Sequence, residues 1–275
     1  MTRMHLFQFT LLFTCGTLFL HCDVDHGLNV DDATESVRQG IRGRITFSGS
    51  WPSNIAEARL VATANFPPDP TQPLDAFIFS DPIQVGSSSL DYGLNLKAAT
   101  YQIIAVILRE TGKAWDIGNI QAVFSPLSAC TIIPDLANPI TIAPGGSIVE
   151  GVDIAVDLTK GNIAGQVQFN GLRPQDVQFA GILAFESPLN LLDPIPCGLA
   201  ILPLDATVAN YKVLVPPNKY VVVAVAGMDL TDITNFRIIG AHLQDGSVLP
   251  AVVEVGQNQN VSHVDLVANW SGAAN

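Results

Sequence analysis

The chain repeats itself. GRITFSG at 43–49 is matched by GQVQFNG at 165–171, and Pro52 and Pro174 follow at the same offset of 122 residues. Tyr92-Gly93-Leu94-Asn95-Leu96 and Tyr101-Gln102-Ile103-Ile104-Ala105-Val106 are matched at offset 119 by Tyr211-Lys212-Val213-Leu214-Val215 and Tyr220-Val221-Val222-Val223-Ala224-Val225. Each copy closes alike, Val152-Asp153-Ile154-Ala155-Val156 against Val264-Asp265-Leu266-Val267-Ala268, at offset 112. A chain written this way must satisfy one fold twice. The drift in offset falls where Pro, Gly, Ser and Asp cluster, so the length differences lie in loops.

Within each copy the period is that of strands. Arg44-Ile45-Thr46-Phe47 and Gln166-Val167-Gln168-Phe169 alternate polar with apolar, as a half-buried strand does. The runs 103–108 and 221–226 are continuously apolar and rich in Val and Ile, which predicts strands buried on both faces. With 18 Pro and 22 Gly, and turn clusters such as Ala143-Pro144-Gly145-Gly146 and Asp245-Gly246-Ser247, no long amphipathic helix is expected after residue 22. An all-β fold follows, in which two tandem Ig-like or transthyretin-like antiparallel β-sandwiches, 40–158 and 159–271, come after a cleaved signal and a flexible tether. Only Thr159-Lys160-Gly161 separates the copies, so they should touch. One larger sandwich with internal pseudo-symmetry is the alternative.

The N-terminal part has a different character. Arg3 precedes the uncharged apolar stretch 6–20, whose fifteen residues would rise about 22 Å as a helix, short of the ~30 Å hydrocarbon core. An export signal over 1–21 is expected. Phe19-Leu20-His21-Cys22 resembles a bacterial lipobox, which implies lipidation at Cys22 and attachment to a bacterial membrane; Leu12-Phe13-Thr14-Cys15 is a second, earlier candidate. An ordinary signal peptide with incidental cysteines remains open. Asp23 resembles the inner-membrane retention signal of some Gram-negative bacteria. Residues 22–39 are polar and acidic, suited to a solvated tether. Asp23, Asp25, Asp31 and Asp32 do not have calcium-loop spacing, because Gly27 and Leu28 fall where a fifth-position ligand and a sixth-position glycine are needed. No metal and no cofactor is expected.

Charge narrows the partners. The 25 acidic residues outnumber the 13 basic ones for a net charge of −12, and loss of Arg3 with the signal makes it −13. Such a chain excludes a basic nucleic-acid binder, and 48% hydrophobic residues exclude a disordered one. Anchoring to an anionic membrane would come from acyl chains, about 0.8 kcal/mol per buried CH₂, and not from electrostatics.

The opening G-x-[IV]-x-F-x-G strand, the downstream proline and the later Y-x-[IV]-x-A-V strand resemble the carboxypeptidase regulatory-like domains, relatives of the transthyretin fold. GRITFSG, LKAATYQIIAV, GQVQFNG and VPPNKYVVVAV carry the likeness. It implies non-catalytic modules on secreted or envelope proteins, and it says little of what is bound.

The chemistry-bearing residues are few. GxSxG, HExxH, a phosphate loop and CxxC are absent from the sequence. His26, His242 and His263 lack partners at metal or catalytic spacing, the last two falling in strand-like stretches. A carboxylate pair of the glycosidase kind is defined in space and stays open. Cys130 and Cys197 sit one per copy in Pro-rich stretches, and a bond between them would staple the copies, with about 4 kcal/mol of loop entropy for the intervening residues. Trp51 and Trp115 lie in turns where they could contact a ligand or plug the core end, and Trp270 is near the C-terminus. The expectation is a non-catalytic, lipid-anchored envelope module that binds or scaffolds a protein partner. A carbohydrate-binding module is the alternative, with a glycoside or peptide hydrolase behind it.

Overall fold

The computed structural model describes residues 37–66, 74–125, 138–188, 195–228 and 236–271. Among them every regular element is a strand, apart from one 3-10 turn, Ile117–Asn119. The first repeat carries β1 (Gly40–Ser48), β2 (Ile55–Thr63), β3 (Ile78–Phe79), β4 (Ser89–Asn95), β5 (Ala99–Tyr101), β6 (Ile103–Glu110), β7 (Ile120–Val123), β8 (Ile140–Ile142), β9 (Ile148–Val149) and β10 (Ile154–Asp157). The second carries β11 (Gly161–Asn170), β12 (Phe179–Glu186), β13 (Pro196–Ile201), β14 (Val208–Val215), β15 (Asn218–Gly227), β16 (Arg237–Ala241), β17 (Val252–Val255), β18 (Asn260–Val261) and β19 (Leu266–Asn269).

The repeated residues turn out to be one physical unit used twice. Gly43 on β1 stands opposite Tyr92 on β4, and Gly165 on β11 stands opposite Tyr211 on β14. A Cβ at either glycine would lie 2.2 Å from a backbone oxygen, that of Val152 in one copy and of Val264 in the other. Only glycine lets the chain pass so close. The same two carbonyls accept the buried hydroxyls of Tyr92 and Tyr211. The next residue, Asp153 or Asp265, accepts the amide of Arg44 at 2.7 Å or of Gln166 at 2.8 Å. Tyr101 and Tyr220 form the other matched pair, each donating to the carbonyl four residues earlier, Lys97 and Pro216. All four tyrosines of the chain are thus spent on backbone carbonyls.

The expected purely antiparallel pairing is corrected by this unit. β10 lies parallel to β1, with Ile45 opposite Ile154, and β19 lies parallel to β11, with Val167 opposite Leu266. The closing strand of each copy comes back beside its opening strand in the same direction, and the glycine is what admits it. The sheets are therefore mixed.

The two copies also close differently. In the first, β10-β1-β4 and β3-β2-β6-β7 are separate sheets, with β5-β8 a small third. The second is a single curled sheet in the order β13-β12-β15-β16-β19-β11-β14, not two stacked ones as expected. Its join is the β16–β19 pair, Gly240 with Ala268 and Ala241 with Val267. Gly240 permits this, since a Cβ there would sit 2.3 Å from the Val267 oxygen. Val123 occupies the corresponding place, opposite Ala105 on β6, and carries a side chain.

Each repeat has its own core. One gathers residues from Ile41 to Leu158, the other from Ile163 to Trp270. The continuous apolar strands serve two faces, as their sequences predict: Ile104, Val106 and Leu108 of β6 enter the first core, and Ile103, Ala105 and Ile107 a second cluster behind it. On β15, Val222, Ala224 and Ala226 face inward and Val221, Val223 and Val225 form the rear cluster. Phe66 packs against both rear clusters and so ties the repeats together. Each buried valine, leucine or isoleucine among them contributes about 1.5–3 kcal/mol.

Candidate binding site

The residues singled out in the sequence meet different fates. Trp51 is half-buried, tilted on Phe47 with ring centroids 4.6 Å apart, and its indole N–H donates to the Ser87 carbonyl at 2.8 Å. Trp270, only 3% exposed, stacks on Phe169, the repeat mate of Phe47, at 4.7 Å. The two copies plug the same core end from different points of the chain. His242 is half-buried beside the Asp265 carbonyl, 3.0 Å from Nδ1. His263 is corrected from its strand-like reading: it is exposed with φ of 61°, in the bend between β18 and β19. Cys197, 1% exposed, is disulfide-bonded. Cys22, Cys130, His26 and residues 22–36 of the expected tether lie outside the described residues; its last three residues are packed on the first repeat and not solvated as expected, with Val37 3% exposed and the Gln39 carbonyl accepting the Leu96 amide at 3.0 Å.

Trp115 is where the sequence pointed to a surface, and it sits within a polar arrangement. Asp116, next to it, caps the 3-10 turn by accepting the Gly118 amide at 2.8 Å. The guanidiniums of Arg109 and Arg59 stand 5.5 and 6.0 Å from the indole ring, and Phe79 flanks it at 5.5 Å. Between the arginines, Glu57 accepts from both at 2.5 Å. Hydrogen bonds from Arg109 and then Arg59 hold its carboxyl below the usual carboxylate range. Trp115 also lines a trough of about 430 Å³ with Glu110, Lys113 and Asn119.

A second depression, about 350 Å³, lies where the repeats meet. The first repeat supplies Phe66, Ile117 and Val123 to its walls, and the second supplies Leu199, Ile201 and Leu214. Sequence reasoning did not find it, because its walls come from segments far apart in the chain. Its rim is fixed by ions. Lys212 of β14 reaches Glu110 at 3.3 Å and the buried Asn119 at 2.8 Å in the first repeat. Gly93 fills the place of Lys212 in the first copy, so the bridge depends on a difference between the repeats. A second tie is Lys160, whose ammonium donates to the Gln121 carbonyl at 2.5 Å. Burial pulls its pKa down to about 8, against the upward pull of Asp157. Among the described residues no group of three or more His, Cys, Asp or Glu side chains could hold a metal ion.

The geometry thus offers an apolar groove beside a polar, tryptophan-lined trough. No family model matches the chain, and no curated protein matches it. Among solved structures it is similar to a leucine-rich repeat protein from Bacteroides thetaiotaomicron, at 14% identity and a TM-score of 0.38, covering 84% of this chain and 26% of that one. It is also similar to the tip fimbrial protein of Porphyromonas gingivalis, with a C-terminal truncation, at 12% identity and a TM-score of 0.26, covering 80% and 92%. A minor pilin of Streptococcus agalactiae matches at 8% identity and a TM-score of 0.22, covering 83% and 95%. The chain spans only about a quarter of the first of these. At TM-scores this low, the site is read from its own residues.

Proposed function

We propose that this protein is a non-catalytic binding module of the bacterial cell envelope whose inter-repeat groove receives a protein partner. The observation that supports it is the groove itself: apolar walls from two repeats, with the nearest cation, Lys212, already paired across the rim. Apolar lining with few polar groups suits a side-chain contact more than a charged metabolite. The test is a photo-reactive amino acid placed at Ile117 in the native cell. Adducts to a protein are expected there and not from Leu172, which is 94% exposed on the outer surface. Equal labelling from both positions, or none from the groove, would remove the reading.

The rest of the proposal concerns placement and architecture. Residues 1–21 are proposed as the signal, the stretch from 22 up to the buried Val37 as the tether, and 40–158 and 159–271 as two β domains of the carboxypeptidase regulatory-like kind. Cys22 is proposed as the lipid-bearing cysteine that attaches the protein to a membrane, and Cys130 as the partner of Cys197. Mass spectrometry reads both, as acyl groups on an N-terminal Cys22 and as a Cys130–Cys197 peptide that separates on reduction.

A second reading has its own support. Trp115 beside Glu110 and Asn119 supplies a ring and hydrogen-bonding groups of the kind that hold a sugar. Glycan binding that disappears in Trp115→Ala would favour it, and binding unchanged in that variant would remove it.

A further inference from the structure

One lysine meets a buried side-chain amide across the junction of the repeats. Asn119 is 7% exposed, one of two buried polar side chains among the described residues, and its backbone amide donates to the Asp116 carbonyl at 2.9 Å, closing the 3-10 turn. Lys212 comes to it from the other repeat, with Nζ 2.8 Å from Asn119 Oδ1 and 3.3 Å from Glu110 Oε1. The other paired lysines differ: Lys160 reaches a main-chain carbonyl, and Lys219 an exposed carboxylate, Glu254, at 3.6 Å. An amine, a carboxamide and a carboxylate thus converge on one point. The first copy has Gly93 in the place of Lys212, so the shared strand plan does not require them.

We infer that Lys212 and Asn119 form an amide bond between their side chains, with Glu110 as the base that moves the protons. Glu110 takes a proton from the Lys212 ammonium, and the freed amine attacks Asn119 Cγ. The Nζ–Cγ bond forms, the Cγ–Nδ2 bond breaks, and Nδ2 leaves as ammonia with the proton that Glu110 carries. Nζ sheds a second proton, which turns the ammonia into ammonium, and keeps its third as the N–H of the new amide. No oxidant or co-reactant is consumed. The packing of the repeats supplies what free lysine and asparagine lack, a fixed approach at contact distance. Glu110, Asn119 and Lys212 all line the trough beside Trp115, which gives the ammonia a way out. The bond locks the two repeats together at the rim of the groove and is independent of what enters it.

The full chain is to be purified, reduced and alkylated, digested with trypsin and read by mass spectrometry. Reduction comes first because Cys130 and Cys197 lie on the same two peptides as Asn119 and Lys212. The expected product is 114–160 joined to 161–219, uncut after Lys212 and lighter than its two arms together by about 17 Da, the mass of one ammonia. Fragmentation should place the branch at Asn119 and Lys212. Lys212→Arg, which keeps the charge, should give no joined peptide. Glu110→Gln should lower its yield at least about tenfold, as loss of a general base does. Separate 114–160 and 161–212 peptides of unmodified mass from the wild-type chain overturn the bond, and that result needs no variant to fold. An undiminished yield in Glu110→Gln overturns the role of Glu110.

Discussion

The two repeats solve the same backbone problem with different residues. In the bends before and after β9, the first repeat uses Gly146 and Gly151, at φ of 88° and 77°. The second repeat needs the same left-handed conformation before and after β18 and meets it with Asn258 and His263, at 54° and 61°. The core ends differ in the same way: Trp51 with Leu158 in one copy, Arg173 with Trp270 in the other. What stays fixed is the Gly–Tyr–Val–Asp unit that locks the closing strand to the opening one. A duplicated fold therefore keeps the residues that set a close backbone approach and lets volume and turn chemistry trade between positions.

The strongest way to break this comparison is to fill the shared gap. Gly43→Val and Gly165→Val each place a side chain against a carbonyl with no room to move, and each should cost about 5 kcal/mol or abolish folding of its repeat. Denaturant titration followed by near-UV circular dichroism reads both; a tolerated change in one repeat would end the equivalence. Next comes the core plug. Trp270→Ala should cost about 3–5 kcal/mol, the range for a buried tryptophan, and Trp51→Ala clearly less because its ring is half-exposed. Equal losses would show that the two plugs share one environment.

The junction between the repeats gives a pH-dependent test. Lysine in an unfolded chain titrates near ~10.4, whereas burial brings Lys160 to about 8 in the folded protein. The folded state thus carries a desolvation cost that is full below pH 8 and fades as pH rises from there toward ~10.4. Stability should climb through that window. Tyr92, Tyr211 and Tyr220, whose phenols burial pushes up, act in the opposite sense above ~10, where the unfolded chain loses its phenolic protons first. Lys160→Met should raise the unfolding free energy at neutral pH by about 1–2 kcal/mol and flatten the rise from pH 8. A steeper rise in that variant would contradict the assignment. The smallest effect transfers the first repeat's solution to the second. His263→Gly should stabilise by about 1 kcal/mol and Asn258→Gly by a few tenths, because asparagine already tolerates the left-handed region. Thermal unfolding resolves the order, and a loss in His263→Gly would mean its imidazole makes a contact worth more than the strain.

The repeat was legible because its residues act locally on the backbone. Gly43, Tyr92 and Asp153 keep their identity in the second copy, and the continuous run 103–108 announces a strand with two buried faces. The groove was not legible, since Phe66, Ile117, Leu199 and Leu214 carry no shared pattern and become neighbours only when two cores pack. Gly240 gave no signal either. It reads as an ordinary strand glycine until β19 is seen 2.3 Å from where its Cβ would be. Trp115 stood out as a loop tryptophan, but the two arginines that flank it come from β2 and β6 and could not be assigned to it from spacing.

The sequence by itself determined that the chain is all-β and that one strand plan is used twice, because alternation, apolar runs and a close-approach glycine act on the backbone wherever they occur. The tertiary structure alone decided that the returning strands run parallel, that one copy curls into a single sheet while the other stays open, and that a groove lies between them. Those features depend on which distant segments are pressed together, and a packing contact leaves no period in the chain to read.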